Sequence, residues 1–560
     1  MGYRNFELAI YFDVHDVNQI TDLECFEMDF SEIEKHLKIG KIYLETYRAD
    51  EWAKREHISQ LKEFFERKGI RVVGGITTAF STAYITWEDW KLFCYSSPEN
   101  LQKLEEVVRY TAILFNEIIF DDFYFTNCRC ENCTHYKENK TWSEFRTKLL
   151  ANVSLNYIVG PAKDVNPEVK LVIKFPNWYE HYQETGYNLE DEARIFDGIF
   201  TGVETRDSNY TQQNLPRYLS YFLPRYMDHV LPRGNGGGWF DSYDCYNPLH
   251  FAEQAYLTLF GKVREVILYR YGSIQDTMAV PIAGYALKRT DSIMDFLGTP
   301  VGISCYKPFH SSGEDFLHNY LGMIGIPLEP YPNYPDNSKS ILLTASASKD
   351  PDIIHKIKTS LEKGKSITVT SGFIQKTGTD FTHEFGNIRI SNRKINVQKF
   401  ACKTRICAFK EYYNSHRPIL FSVLEIPTND VWPYVIGLTD EANTPILMSI
   451  NYGKGNLNII NVPDDFSDIY DLPPGILNCI RSELLNDFLV RIEGESKVGL
   501  FLFDNRVLII ESFLPRISII RLIISGVDDI CNLSTGKSIH GPSGVFELEL
   551  EPGNYQIFSY

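Results

Sequence analysis

Two aspartates close a strand-like run, and three cysteines follow a few residues later. The run reads Ile118-Ile119-Phe120-Asp121-Asp122-Phe123-Tyr124-Phe125, then Cys128-Arg129-Cys130-Glu131-Asn132-Cys133. Cys94 lies one helical segment upstream, in Phe93-Cys94-Tyr95. Cys94, Cys128, Cys130 and Cys133 supply four soft ligands, the number and type of a closed structural zinc site. Four thiolates fill the coordination shell and leave no position for water, so the expected zinc is a staple and not a catalyst. The aspartates beside it are the kind of residue that performs proton transfer or nucleophilic attack.

Cleavage of a glycosidic bond needs two carboxyls, one to protonate the leaving oxygen and one to attack carbon or activate water. Four candidate catalytic acids stand at expected strand ends: Asp121 and Asp122 in the fourth, Glu204 after the sixth, and Asp241 in the seventh. Adjacent strand residues face opposite sides, so only one of Asp121 and Asp122 aims into a pocket unless the strand has already ended. Asp122 is preferred because it leads into the loop, with Asp121 in support. Glu204 is the preferred partner, held ionised by Arg206 or Lys174, because a carboxylate at the end of an apolar strand is costly unless paired. Asp241 competes for that role.

Around these acids, Glu45, Arg48, Lys174, Asn177, Arg206 and Asp207 are candidates for binding sugar hydroxyls. Trp178 and Trp239 are candidate stacking platforms, since flat rings suit the apolar faces of pyranoses. Gly236-Gly237-Gly238 ahead of Trp239 implies a tight bend or a close backbone approach.

These positions fall at the C-terminal ends of alternating strands and helices. Expected strands cover residues 8–14, 41–47, 71–76, 117–124, 169–175, 198–204, 238–242 and 266–271. Amphipathic helical stretches such as 58–68 and 101–115 lie between them. Eight such units within about 290 residues predict a (β/α)8 TIM barrel, in which those strand ends share one mouth; an open parallel sheet is the alternative. The barrel is expected to span 1–291. A Rossmann-like middle domain is expected over 292–488, in which a strand at 341–346 leads through Asp350-Pro351 into a helix that Gly364 ends. It has no glycine-rich phosphate loop. Residues 376–430 read as a strand-rich insertion. A small β-sandwich is expected over 489–560, where Phe546, Leu548 and Leu550 alternate with Glu547 and Glu549.

The 560-residue chain is 44% hydrophobic, carries a formal charge of -17 and contains no dense basic run, which argues against nucleic acid as partner. No apolar run would span a membrane and no signal peptide precedes the first strand, so a cytoplasmic protein is expected, or a periplasmic one had a leader been trimmed. Aromatic residues make up 14%, a surplus that suits a carbohydrate cleft as well as a core. Of the 11 cysteines, those outside the cluster are expected to be buried thiols, with Cys402 and Cys407 able to pair.

The domain order, together with Cys94-Tyr95-Ser96-Ser97-Pro98 and the Cys-x-Cys-x-x-Cys run, resembles glycoside hydrolase family 42, a family of β-galactosidases. That resemblance implies a structural zinc on Cys94, Cys128, Cys130 and Cys133, with His135 as an alternative fourth ligand. It also implies a middle domain that builds homo-oligomers, as trimers. The catalytic pattern departs from the family. Where family 42 closes strand four with Asn-Glu, this chain has Asp122-Phe123, and where the family places a nucleophilic Glu on strand seven, this chain reads Trp239-Phe240-Asp241. Acids on strands four and six would instead resemble α-galactosidase-type barrels. The expected activity is hydrolysis of an oligosaccharide or glycoside. A non-catalytic carbohydrate-binding relative is the alternative. A metal-dependent hydrolase would need a histidine-rich strand pattern that the chain lacks.

Overall fold

The computed structural model describes residues 2–80, 91–208, 211, 213–275, 277–403 and 409–560. The chain divides into two compact units, one of residues 1–215 and 219–295 and one of 216–218 and 296–560.

The first unit is a closed barrel of eight parallel strands. They are β1 (Glu7–Phe12), β2 (Ile39–Arg48), β3 (Arg71–Thr77), β4 (Glu117–Phe120), β5 (Lys170–Phe175), β6 (Gly198–Gly202), β7 (Asn235–Asp241) and β8 (Glu265–Tyr269). β1 pairs with both β2 and β8, which closes the cylinder. Every strand sends an inward side chain into one layer, formed by Ala9, Tyr11, Tyr43, Val73, Ile119, Val172, Phe200, Trp239 and Ile267. This layer sets the phase of the whole mouth. Side chains two positions further along face the same way, and those positions are Asp13, Glu45, Asp121, Lys174, Asp241 and Tyr269.

Five strands are shorter than expected, and two of these, β4 and β6, lead into candidate acids. β4 stops at Phe120 and β6 at Gly202, so Asp121, Asp122 and Glu204 all lie beyond their strands. The rule that only one of two neighbouring aspartates faces the pocket therefore lapses at Asp122.

In the second unit, a nine-stranded sheet is built from β9 (Ile303–Tyr306), β10 (Leu328–Tyr331), β11 (Ser340–Leu343), β12 (Ser366–Thr370), β13 (Arg389–Lys403), β14 (Phe409–Glu425), β15 (Trp432–Leu438), β16 (Asn443–Tyr452) and β17 (Gly455–Ile460). Its order is β10-β9-β11-β12-β17-β16-β15-β13-β14, parallel as far as β17 and antiparallel beyond. The helix Ile353–Glu362 joins β11 to β12, and Gly364 just past its end has φ +85°, a left-handed turn that glycine adopts without strain. The expected insertion is the long hairpin of β13 and β14 at the sheet edge.

The chain ends in two antiparallel sheets that enclose a common apolar core. One contains Val498–Phe503, Val507–Ser512 and Tyr555–Ser559, and the other Val490–Glu493, Ser518–Ile524 and Val545–Leu550.

Two cysteine expectations are corrected. Cys402 is bonded to Cys479, 77 residues away, a partner that local spacing could not reveal. Cys407 lies outside the described residues. Cys25 is exposed, and Cys245 and Cys531 are partly so, while Cys305 is buried as expected. No helix among the described residues is long and apolar enough to cross a membrane.

Candidate active site

Lys174 is the centre of the barrel mouth. It follows Val172 on the inward face of β5 and is 3% exposed. Its Nζ lies 4.1 Å from the centre of the Trp239 ring. From there it donates to Asp122 at 2.8 Å and to Glu204 at 3.1 Å, and lies 3.5 Å from Asp121. Burial alone would lower the Lys174 pKa, but three surrounding carboxylates push it well up, so it remains an ammonium.

The acids differ in how completely they are occupied. Asp121 accepts from Lys174 and the Asp122 amide on one oxygen, and from Arg48 and Thr77 on the other. Burial would raise its pKa, but the cations Lys174 and Arg48 override that and hold it down at about 2. Glu45 is likewise saturated by Tyr11, Val14, Arg48 and Thr77. Asp241 is gripped by both arms of the Arg206 fork, at 2.9 and 2.6 Å, and its Oδ1 also accepts the Tyr243 amide.

Asp122 and Glu204 are different. Each gives a single oxygen to Lys174, and among the described residues Oδ1 of Asp122 and Oε2 of Glu204 have no hydrogen-bond partner. Both free oxygens keep some contact with solvent. Contacts of 2.8 and 3.1 Å to one nitrogen cap the separation of the two bound oxygens at about 6 Å. Burial pushes the Asp122 pKa up to about 7; Lys174 opposes this, while Asp121 and Glu204 add to it. Asp122 is thus a carboxyl that burial inclines to keep its proton near neutrality, and it shares its lysine with Glu204.

Local structure explains the placement of Glu204. A Cβ on Gly202 would collide with Glu204 Oε2, so glycine at the end of β6 makes room for the carboxyl. Asn177, after β5, donates its side-chain amide to the Glu204 carbonyl at 3.0 Å and fixes the backbone there. The Tyr187 hydroxyl does the same for the Asp122 carbonyl. Sequence reasoning missed Tyr187, which lies in an irregular connection with no periodicity to mark it.

Several expected roles change. Trp239 is 2% exposed, beneath Lys174 and between Tyr11 and Tyr269, so it floors the site and offers no open face to a sugar. Glu45 and Arg48 are buried in mutual pairing and brace Asp121; Glu45 has no oxygen left for a hydroxyl. Arg206 pairs with Asp241 and not with Glu204, leaving Lys174 as the cation on Glu204. Asp207 is buried against His250 at 3.4 Å. Trp178 remains half-buried, packed edge-on to Phe125 beside Tyr187, on the Asp122 side of the mouth.

Beyond Asp122 the loop runs into the cysteine cluster. The ligand atoms of Cys94, Cys128, Cys130 and Cys133 all lie within 4.8 Å of one another, and Cys94 Sγ is 3.6 Å from both Cys130 and Cys133. A tetrahedral metal with sulfur bonds of about 2.3 Å sets sulfurs about 3.8 Å apart, so the donor set fits such an ion. His135 is not one of this group. Thr126 bridges the two regions: its hydroxyl donates to the Phe93 carbonyl and accepts the Cys128 amide.

A closed parallel barrel with acids gathered at its C-terminal mouth has its polar groups where barrel enzymes of many chemistries keep their active sites. The chain belongs to the family described as probable glycosyl hydrolase, catalytic domain, whose model matches residues 1–296. Residues 298–465 match the second domain of the uncharacterized protein SSO3021, and 489–560 the C-terminal domain of a probable glycosyl hydrolase. SSO3021 of Saccharolobus solfataricus is 28% identical over 419 residues, covering 67% of each chain. Among solved structures, a β-galactosidase from Bacillus circulans sp. alkalophilus matches with a TM-score of 0.66 at 11% identity, over 99% of both chains. A family 42 β-galactosidase from G. stearothermophilus matches at 0.65 and 12%, over 99% of this chain and 98% of that one. At such identity the likeness is one of fold.

Proposed function

We propose that this chain is a glycosidase that cleaves an oligosaccharide or glycoside with Asp122 as general acid and Glu204 as its partner carboxylate. The observation that carries this reading is the pair of open oxygens. Of the acids at the mouth, Asp121, Glu45 and Asp241 have both oxygens engaged, while Asp122 and Glu204 each keep one for a substrate. Two open carboxyls are also what separates an enzyme from a module that only binds sugar.

One ammonium shared by both carboxyls draws them together, which favours the close spacing of a retaining pair over the wider gap that an inverting pair needs to admit a water. Glu204 then attacks the anomeric carbon as the bond to the leaving oxygen breaks and Asp122 gives that oxygen its proton. Water next attacks the same carbon, Asp122 takes the water's proton, and Glu204 leaves as carboxylate. Asp121, fixed as an anion by two cations, and Asp241, locked by Arg206, shape the field without reacting.

The cysteines would hold zinc as a structural ion that pins the loop carrying Asp122. A homo-oligomer, as a trimer through the middle domain, belongs to the same reading and rests on the family 42 resemblance. The test is a screen of 4-nitrophenyl glycosides of both anomers, followed by proton NMR of the first sugar released. Release of a sugar with the substrate's anomeric configuration is expected. Inversion, or no cleavage of any glycoside by folded protein that still binds sugar, would overturn the assignment.

A further inference from the structure

We propose that Lys174 is a positioning residue that divides the labour between Asp122 and Glu204, fixing the two carboxyls around one ammonium and orienting their free oxygens toward the substrate. The inference rests on the reading above and goes beyond it, because it gives Lys174 a task on the two carboxyls in place of the sugar contact expected from its sequence position.

The geometry is specific. An ammonium has three protons, and three carboxylates surround this one, at 2.8, 3.1 and 3.5 Å. The Trp239 ring lies against the Nζ, and a cation over an aromatic face is stabilised there. Lys174 is therefore held from the barrel interior and meets the acids from below. Each of Asp122 and Glu204 commits one oxygen to it, which leaves the other without a hydrogen-bond partner among the described residues. A lysine suits this task better than an arginine, since a point charge on a flexible stem can serve three partners that a planar fork cannot.

The other charges at the mouth leave Lys174 this role alone. Arg48, from β2, is occupied by Glu45 and Asp121. Arg206, after β6, is occupied by Asp241 of β7. Arg270, after β8, pairs with Asp13 and Asp16. The phenol groups that press on Asp122, Tyr182 and Tyr187, are held neutral by burial. Lys174 is thus the cation shared by Asp122 and Glu204.

The experiment compares Lys174→Gln and Lys174→Arg with wild type in pH profiles of kcat/KM on the 4-nitrophenyl glycoside that wild type cleaves best. Wild type is expected to show an alkaline limb near 7, set by Asp122. In Lys174→Gln the limb should move up by about 1–3 pH units, because a cation in contact with Asp122 is gone. Its kcat should fall about 10²-fold as the free oxygens lose their aim. Lys174→Arg keeps the charge, so its limb should stay within about half a unit of wild type and its kcat should exceed that of Lys174→Gln. A Lys174→Gln limb that does not move, whatever the rate, would overturn the proposal. So would a Lys174→Arg limb displaced by about one unit or more, which decides the matter alone if the glutamine variant does not fold. Asp122→Asn separates the two levels. If that variant hydrolyses an alkyl glycoside, whose leaving group needs a proton, at the wild-type rate, the assignment of Asp122 fails; if it is inactive on that substrate while the Lys174→Gln limb stays in place, only the role of Lys174 fails.

Discussion

Asp121 and Asp122 are adjacent in sequence and opposite in chemistry. Both are drawn to the same lysine, yet Asp121 gains a second cation, Arg48, and is held at about 2, while Asp122 has only Lys174 against its burial and two like charges and rises to about 7. A general acid must be protonated to act, so activity should be present below about 7 and be lost as pH rises through that value. A pH-rate profile whose alkaline limb falls near 9 or above would place the proton elsewhere. The choice of Asp122 over Asp121 could be argued from sequence, but only by guessing that the strand had ended. Alternation from Ile119 marks Asp121 as inward, and nothing in the sequence says that β4 stops at Phe120. The lock of Arg206 on Asp241 was equally out of reach, since Arg206 lies as near in sequence to Glu204 and turns away from it.

At the scale of elements, the site depends on how strands end and loops are pinned. Gly202 closes β6 so that Glu204 can fold back beside it. Gly202→Ala should turn the carboxyl away and lower kcat/KM about 10²-fold. Melting should shift by no more than a few degrees, as for an ordinary single substitution. Steady-state kinetics and thermal melts on one preparation check both, and an unimpaired variant would show that Glu204 needs no such space. The loop after β4 is pinned at its far end by the cysteine cluster, with Thr126 midway. One zinc per chain is expected by elemental analysis. Chelation should lower the melting temperature and the activity together, because an ion on these cysteines would hold the loop that carries Asp122. A fully folded, active chain without metal would refute the staple. The cysteines were the most legible feature of the sequence, since soft ligands at short spacing carry their meaning locally. The Cys402–Cys479 bond was illegible for the converse reason: it spans 77 residues and two elements that only the fold brings together.

For the whole molecule, several buried carboxyls titrate far from their ordinary range. Asp16 and Asp122 are pushed to about 7 and Glu192 to about 8, all mainly by burial. A carboxyl whose pKa rises on folding binds more protons folded than unfolded, so its share of stability is greatest in acid and declines as pH rises from about 4 to the folded value. Asp121 acts in the opposite sense, its share being lost only as pH falls from about 4 toward 2. Urea denaturation of the zinc-saturated chain should therefore show a higher midpoint near pH 5.5 than near pH 8, and a midpoint that rises over that interval would contradict the burial argument. The barrel itself was legible because eight apolar segments with polar ends repeat along 1–291. The roles of Trp239, Glu45 and Arg48 were not, because a polar or aromatic residue at a strand end looks alike from sequence whether it faces substrate or braces a neighbour.

The central claim is that Asp122 and Glu204, and not Asp121 or Asp241, do the chemistry at this mouth. Single-turnover rates of Asp122→Asn, Glu204→Gln and Asp241→Asn on an activated aryl glycoside test it most directly, with each variant shown to be folded by circular dichroism. Because a good leaving group needs little acid, Glu204→Gln should be the most severely impaired, by about 10³-fold or more, and Asp122→Asn should recover as the leaving group improves. Asp241→Asn should retain more activity than Glu204→Gln. If Glu204→Gln turns over at a rate close to wild type while Asp241→Asn is inactive, the partner carboxylate lies on β7 and the account is wrong.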